Sequence, residues 1–220
     1  MIRHPRQEWW LAIALAALAG YVDAIGFLRL NGLFVSFMSG NSTRLAVALA
    51  GGSPLAFTAA SLILAFVAGV VVGATAGAAL GRWRRPGVIV LASVPLAVAA
   101  ALPEFGPLGG LGTVLLALAM GGLNTVFQRD GEVSVGVTYM TGALVKLGQH
   151  LAGALMGEGA RWDWLPYLLL WSGLLAGAFL GTADYAAPDN AALWRATVAA
   201  LGIALLAAAT TTAGGRVPRE

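Results

Sequence analysis

Eight long apolar stretches, at about 9–28, 33–50, 54–81, 86–102, 108–127, 133–156, 163–183 and 191–212, occupy nearly the whole chain. Only 10% of the 220 residues are charged, against roughly a quarter in soluble domains. Too few charges remain to cover a closed surface in water, so lipid must cover most of it. Mean hydropathy of +0.81 agrees. The expected class is an all-α integral membrane protein, a single membrane domain over 1–220. Its loops, such as Arg82 to Pro86 and Pro103 to Pro107, are too short to carry a soluble domain.

The same composition narrows the chemistry. Cysteine is absent, and the two histidines, His4 and His150, stand far apart, so no thiol chemistry and no metal site is expected. A formal charge of +3, spread over the flanks of apolar runs, excludes nucleic acid as a partner. No phosphate loop, nucleophile elbow or paired carboxylates appear, so neither an enzyme nor a cofactor is expected.

The second and sixth stretches differ from the rest. Ser36, Ser39, Asn41, Ser42, Thr43 and Arg44 crowd the centre of one; Thr138, Thr141, Lys146, Gln149 and His150 crowd the other. The positive-inside rule decides how they lie. If all eight stretches cross, Arg3, Arg6, Arg161, Arg216 and Arg219 face Arg29, Arg82, Arg84, Arg85, Arg129 and Arg195, which is no bias. If these two enter and leave on one side, only Arg29 and Arg195 remain outside, against Arg3, Arg6, Arg82, Arg84, Arg85, Arg129, Arg161, Arg216 and Arg219 inside. The expectation is therefore about six transmembrane helices plus two broken, re-entrant segments, in a bacterial inner membrane with both termini cytoplasmic. Trp9, Trp10, Trp83, Trp162, Trp164 and Trp194 fall near expected span ends, where their rings prefer the interface; Trp171 is the exception. The first span is too long for a cleaved signal peptide and is expected to stay.

An internal repeat runs through these stretches. Met38-Ser39-Gly40 with Arg44-Leu45 lines up with Met140-Thr141-Gly142 and Lys146-Leu147, and Phe37 falls on Tyr139 and Gly20 on Gly122 at the same offset. Gly69, Gly73, Gly77 and Gly81 form a four-residue ladder that Gly173, Gly177 and Gly181 repeat. Repeats of about 1–104 and 105–220, each with three full crossings, are inverted with respect to one another, as in many secondary transporters.

Each polar segment opens with β-type residues, Phe34-Val35-Ser36-Phe37 and Val133 to Tyr139, followed by a hydroxyl and a glycine. That pattern predicts a broken helix whose N-terminal amides point inward and attract an anion or an acceptor atom. Arg44 and Lys146, one turn in, would add positive charge. The alternative is that these polar groups only cap the half-helices and bond neighbouring helices. Asp23 is the one carboxylate well inside an apolar span, to be paired with Arg44 or to carry a proton or cation. Asn124 and Thr125 occupy the matching region of the second half. The glycine ladders make grooves for close helix packing, expected between the third and seventh stretches or against the broken segments, and open to a homodimer if exposed.

Gly20-Tyr21-Val22-Asp23-Ala24-Ile25-Gly26-Phe27, then Phe34 and Met38-Ser39-Gly40-Asn41-Ser42, resembles the signature of the YoaK-like bacterial membrane proteins. Ser39 stands where that family usually has Thr, and Ala143 follows Met140-Thr141-Gly142 where Asn would sit. The resemblance covers essentially the whole chain and implies an inner-membrane protein of about six spans, without supplying a reaction.

The leading expectation is a transporter or channel for a small polar or anionic solute held between the two breaks. Its site residues would be Asp23, Ser39, Gly40, Asn41, Ser42, Arg44, Asn124, Thr138, Thr141, Gly142 and Lys146. The other is a non-transporting membrane scaffold that packs on partners through its glycine grooves.

Overall fold

The structure, a computed structural model, describes residues 6–102, 109–129, 132–133, 136–158, 160–187 and 190–214. His4, Arg3, Arg216, Arg219, Ser134, Val135 and the Pro103 to Pro107 loop lie outside the described residues, as do the side chains of Arg6 and Arg129.

All eight apolar stretches form helices: α1 (Arg6–Arg29), α2 (Met38–Ala50), α3 (Leu55–Leu80), α4 (Arg84–Ala101), α5 (Gly109–Leu123), α6 (Met140–Leu155), α7 (Leu165–Asp184) and α8 (Ala191–Gly214). A 3-10 turn, Gly81–Trp83, joins α3 to α4, and a two-residue hairpin, β1 (Gln128–Arg129) with β2 (Glu132–Val133), follows α5. The stretches Trp9–Arg29, Leu55–Ala101, Leu165–Asp184 and Ala191–Thr212 are long and apolar enough to cross a bilayer, and the second of these contains both α3 and α4. The protein is an all-helical membrane protein.

α5, with 15 residues, is short, and the polar segments depart from full-length helices as well. Their β-type openings are not strands at Phe34 to Phe37 or at Val137 to Tyr139; the backbone there turns and bends. Among the described residues the strands are β1 and β2, which pair with each other, so extended residues at these positions have no ladder to join. What remains helical is short: α2 has 13 residues and α6 has 16, or about 20 and 24 Å at 1.5 Å per residue. Both end on a left-handed glycine. Gly52 (φ 63) and Gly157 (φ 77) let the following amides, Ser53 N–H and Glu158 N–H, turn back to the Ala48 and Gly153 carbonyls at 2.8 Å.

Helix directions follow from a few contacts. Along α1, Trp9 meets Tyr167, Ala17 meets Gly177 and Tyr21 meets Asp184, so α1 and α7 run parallel. Gly69 abuts Leu118 and Gly73 abuts Gly122 and Thr125, so α3 and α5 also run parallel. Asn190, just before α8, donates from Nδ2 to the Leu102 carbonyl at 2.7 Å and accepts from Arg29 Nη2 at 2.6 Å. The C-terminal ends of α1 and α4 and the start of α8 therefore share one end of the bundle.

The glycine ladders pack inside the chain. A Cβ on Gly177 or Gly181 would collide with the carbonyl of Ala17 or Tyr21, and one on Gly69 with that of Leu118. The ladders of the third and seventh stretches thus face α5 and α1 rather than each other, while other faces of α3 and α7 meet the broken segments α2 and α6. Backbone-to-backbone approach needs small residues on both sides, and α1 and α5 supply Ala17, Gly20 and Gly122. α1 and α5 form the hub, with Leu15, Val22, Ile25, Leu116 and Met120 fully buried.

Candidate functional site

The two breaks are built alike. After α1 the chain folds back beside it, and Asp23 Oδ1 accepts the Val35 and Ser36 amides, each at 2.8 Å. Both residues are buried, and Val35 presses on Gly26, where a Cβ would stand 2.6 Å from its Cγ1. Asn41, fully buried in the first turn of α2, answers from the other side. Its Oδ1 accepts the Phe34 amide at 2.9 Å and its Nδ2 donates to the Phe34 carbonyl at 2.6 Å. A side-chain amide here satisfies the N–H and the C=O of a residue that has no helix or strand to do so.

The second break uses related parts. Thr138 Oγ1 donates to Asn124 Oδ1 at 3.1 Å, and Asn124 Nδ2 donates to the Met120 carbonyl at 2.9 Å. Asn124 thus holds the residue before the aromatic, as Asp23 holds Ser36. Phe37 (φ −89, ψ 76) and Tyr139 (φ −86, ψ 65) share a backbone conformation. Met38 N–H reaches the Ser36 carbonyl at 3.1 Å, and Met140 N–H the Thr138 carbonyl at 3.0 Å. In each case the aromatic ring folds over the glycine of the first helical turn, Gly40 or Gly142, leaving no room for a Cβ. Thr125 takes no part: its hydroxyl donates to the Gly122 carbonyl at 2.8 Å, against Gly73 of α3.

Other expected members of the site lie apart. Asp23 and Arg44 do not pair; the Arg44 guanidinium packs over Gly32, in the turn after α1. The carboxylate is met instead by peptide amides that the break leaves without helix partners. Lys146 lies over the Tyr167 ring at 5.8 Å, next to His150, stacked on that ring at 5.2 Å, and Trp9. Gly32 follows the C-terminal end of α1 and Trp9 lies near its N-terminal end, so Arg44 and Lys146 sit at opposite ends of the bundle. The expectation that both charges converge is not met, because α2 packs on α3 and α6 on α7, each at its own end. Long cationic side chains reach the nearest interface. Ser39, Ser42, Thr43 and Thr141 are exposed, with the Ser42 and Thr43 hydroxyls turned back to the Met38 and Ser39 carbonyls.

One polar cluster escaped the sequence reading. Tyr21 OH donates to Asp184 Oδ2 at 2.7 Å, and Arg195 pairs with Asp184 Oδ1 at 2.8 Å, tying α1, α7 and α8. With the Arg29–Asn190–Leu102 bridge it fastens one end of the bundle. A signal was present: Arg29 and Arg195 are the two cations that the charge count left on the sparse side.

The family described as "Protein of unknown function (DUF1275)" matches residues 11–206. The chain is also similar to the UPF0700 transmembrane protein RA0705 of Rhizobium meliloti (strain 1021), 37% identical over 222 residues that span 100% of this chain and 92% of that protein. No solved structure matches. The match reaches from the first turns of α1 into α8, taking in both breaks and both glycine ladders, and the chain belongs to the DUF1275 family of transmembrane proteins.

Proposed function

We propose that this protein is a transporter or channel for a small polar or anionic solute in the bacterial inner membrane, with six crossings and two re-entrant segments, α2 and α6. The resemblance to YoaK-like proteins belongs to the same reading. The crossing count rests on helix ends. α1 and α4 finish at the same end of the bundle, so α2 and α3 together amount to one crossing. α3, with 26 residues, is long enough to make it alone. Arg44 supports the return of α2, since Val35 and Ser36 stand at Asp23 while the guanidinium, further along α2, reaches Gly32 beyond the end of α1. On this reading the two halves are inverted repeats, whose α1 and α7, and α3 and α5, pair across the halves.

One observation carries the functional part: a carboxylate within a spanning helix is bonded to the peptide backbone of a broken segment. Such an arrangement is costly in lipid and typical of places where polar solutes meet a membrane protein. The solute would meet each break separately, at Asp23 with Ser39 to Asn41 and at Asn124 with Thr138 to Gly142, rather than between Arg44 and Lys146. Proteoliposomes test this. The expected result is flux of an anion, amino acid or nucleobase above that of empty liposomes, reduced by Asp23→Asn with the fold intact; no flux across such a panel refutes it. Reporters fused at Gly52 and Gly157 should read periplasmic and cytoplasmic respectively; eight crossings would put both on one side, so a same-side result refutes the six-crossing topology.

A second reading, a non-transporting scaffold, is favoured by the internal satisfaction of Asn41, Ser42 and Thr43. It expects a co-purifying membrane partner and Asp23 variants that change abundance alone. Gly69 and Gly73 meet α5, Gly173, Gly177 and Gly181 meet α1, and Gly77 meets Arg84, so a partner, or a second copy, would use other surfaces.

A further inference from the structure

A cleft of about 120 Å³ opens between α3 and α4, over α5. Gly69 and Gly73 line it from α3, Val88, Leu91 and Pro95 from α4, and its walls are almost wholly apolar. Val72, 48% exposed, and Leu91, 36% exposed, stand at its mouth, so it opens on the outer, lipid-facing surface of the bundle.

Arg84 belongs to the same helical stripe as Val88, Leu91 and Pro95, spaced four, three and four residues apart. The next glycine of the α3 ladder, Gly77, faces Arg84: a Cβ there would stand 2.8 Å from Nε. The groove therefore continues from the apolar cleft to a guanidinium. Arg84 Nη2 donates to Gln128 Oε1 at 2.8 Å, while Nε is buried with no acceptor among the described residues. Arg82, two residues earlier in the chain, is exposed over the Trp83 ring, and Arg85 lies over Phe127. A buried N–H of a cation without an acceptor is costly, and guanidinium groups favour phosphate oxygens.

We propose that this groove binds an anionic phospholipid, with a segment of one acyl chain in the cleft between α3 and α4 and the headgroup phosphate on Arg84 and Arg82. The apolar half of the groove fits hydrocarbon and the charged half fits phosphate, and they are joined in the order in which a phospholipid presents them. A basic pocket between helices next to the membrane surface is the setting in which headgroups are recognised. The site is independent of the transport reading and of which surface faces the cytoplasm.

Native mass spectrometry of the full chain, extracted from vesicles of equal phosphatidylglycerol and phosphatidylcholine, tests it. Phosphatidylglycerol should be retained in preference. Arg82→Gln should weaken its retention about fivefold, as expected for one cation at a headgroup, and Arg84→Gln should weaken it more. Val72→Phe, at the exposed mouth, should lower retention of both lipids without changing the preference, and it keeps the test open if Arg84→Gln does not fold. Equal retention of the two lipids, insensitivity to Arg82→Gln and Val72→Phe, or complete displacement by excess inorganic phosphate would overturn the proposal.

Discussion

Asp23 grips the first break through one oxygen, so two substitutions there separate geometry from charge. Oδ1 accepts the Val35 and Ser36 amides at 2.8 Å, and both residues are buried. Asp23→Ala strands two N–H groups that no water reaches. At about 1–3 kcal/mol for each stranded group, the cost is about 2–6 kcal/mol. Asp23→Asn keeps a carbonyl oxygen at the same place, in bonds no longer charge-assisted, a loss of roughly 1–1.5 kcal/mol each. Removing a carboxylate from the bilayer interior works in the other direction. The two effects offset, and the Asn variant should lie within about 2 kcal/mol of the parent. Reversible unfolding by dodecyl sulfate in mixed micelles, followed by tryptophan fluorescence, measures both. Equal destabilisation by Ala and Asn, or an Ala variant as stable as the parent, would show that this oxygen does not hold the break. The Asn variant also isolates the charge: a stable Asp23→Asn protein without flux assigns the carboxylate to transport, whereas one with normal flux leaves Asp23 a purely structural clamp.

The same unfolding assay checks two further expectations. Gly177→Ala drives a methyl into the Ala17 carbonyl and should cost about 1–3 kcal/mol, whereas Gly202→Ala, with nothing within 4 Å, should be neutral or stabilising by up to about 1 kcal/mol; equal effects would mean that α1 and α7 are not in backbone contact. Asn41→Ala removes the partners of both the Phe34 N–H and the Phe34 C=O and should cost about 1–3 kcal/mol or more, and a neutral result would refute its role as the clamp on α2.

Much of the architecture is legible in the sequence because it is written in local terms. A run of about 20 apolar residues must become a helix in lipid, so Trp9–Arg29 and Ala191–Thr212 follow directly. Polar residues at the centre of a run mark where such a helix breaks, and both breaks fall at Met38 and Met140. The site was less legible. Asp23 stands out in the sequence by its position, but its partners are backbone amides, which every residue except proline carries and no residue type reveals. Asn41 looked like a group offered to a solute, yet both ends of its amide are used on Phe34. Arg44 and Lys146, matched in sequence, stand at opposite ends of the bundle, since a repeat fixes the local surroundings of a residue and not its distance from its counterpart.

The sequence by itself determined that this chain lives in lipid, where its helices lie, where two of them break, and which faces are small enough for close packing. Only the tertiary structure decided which helix fills which groove: α1 against α7 and α5 against α3, with Asn190 gathering Arg29 and the end of α4. The physical reason is that lipid tails are as apolar as the helices themselves, so hydropathy gives no preference among partners. The choice falls to backbone shape and to a few hydrogen bonds between residues far apart in the chain, and neither is visible until the helices are assembled.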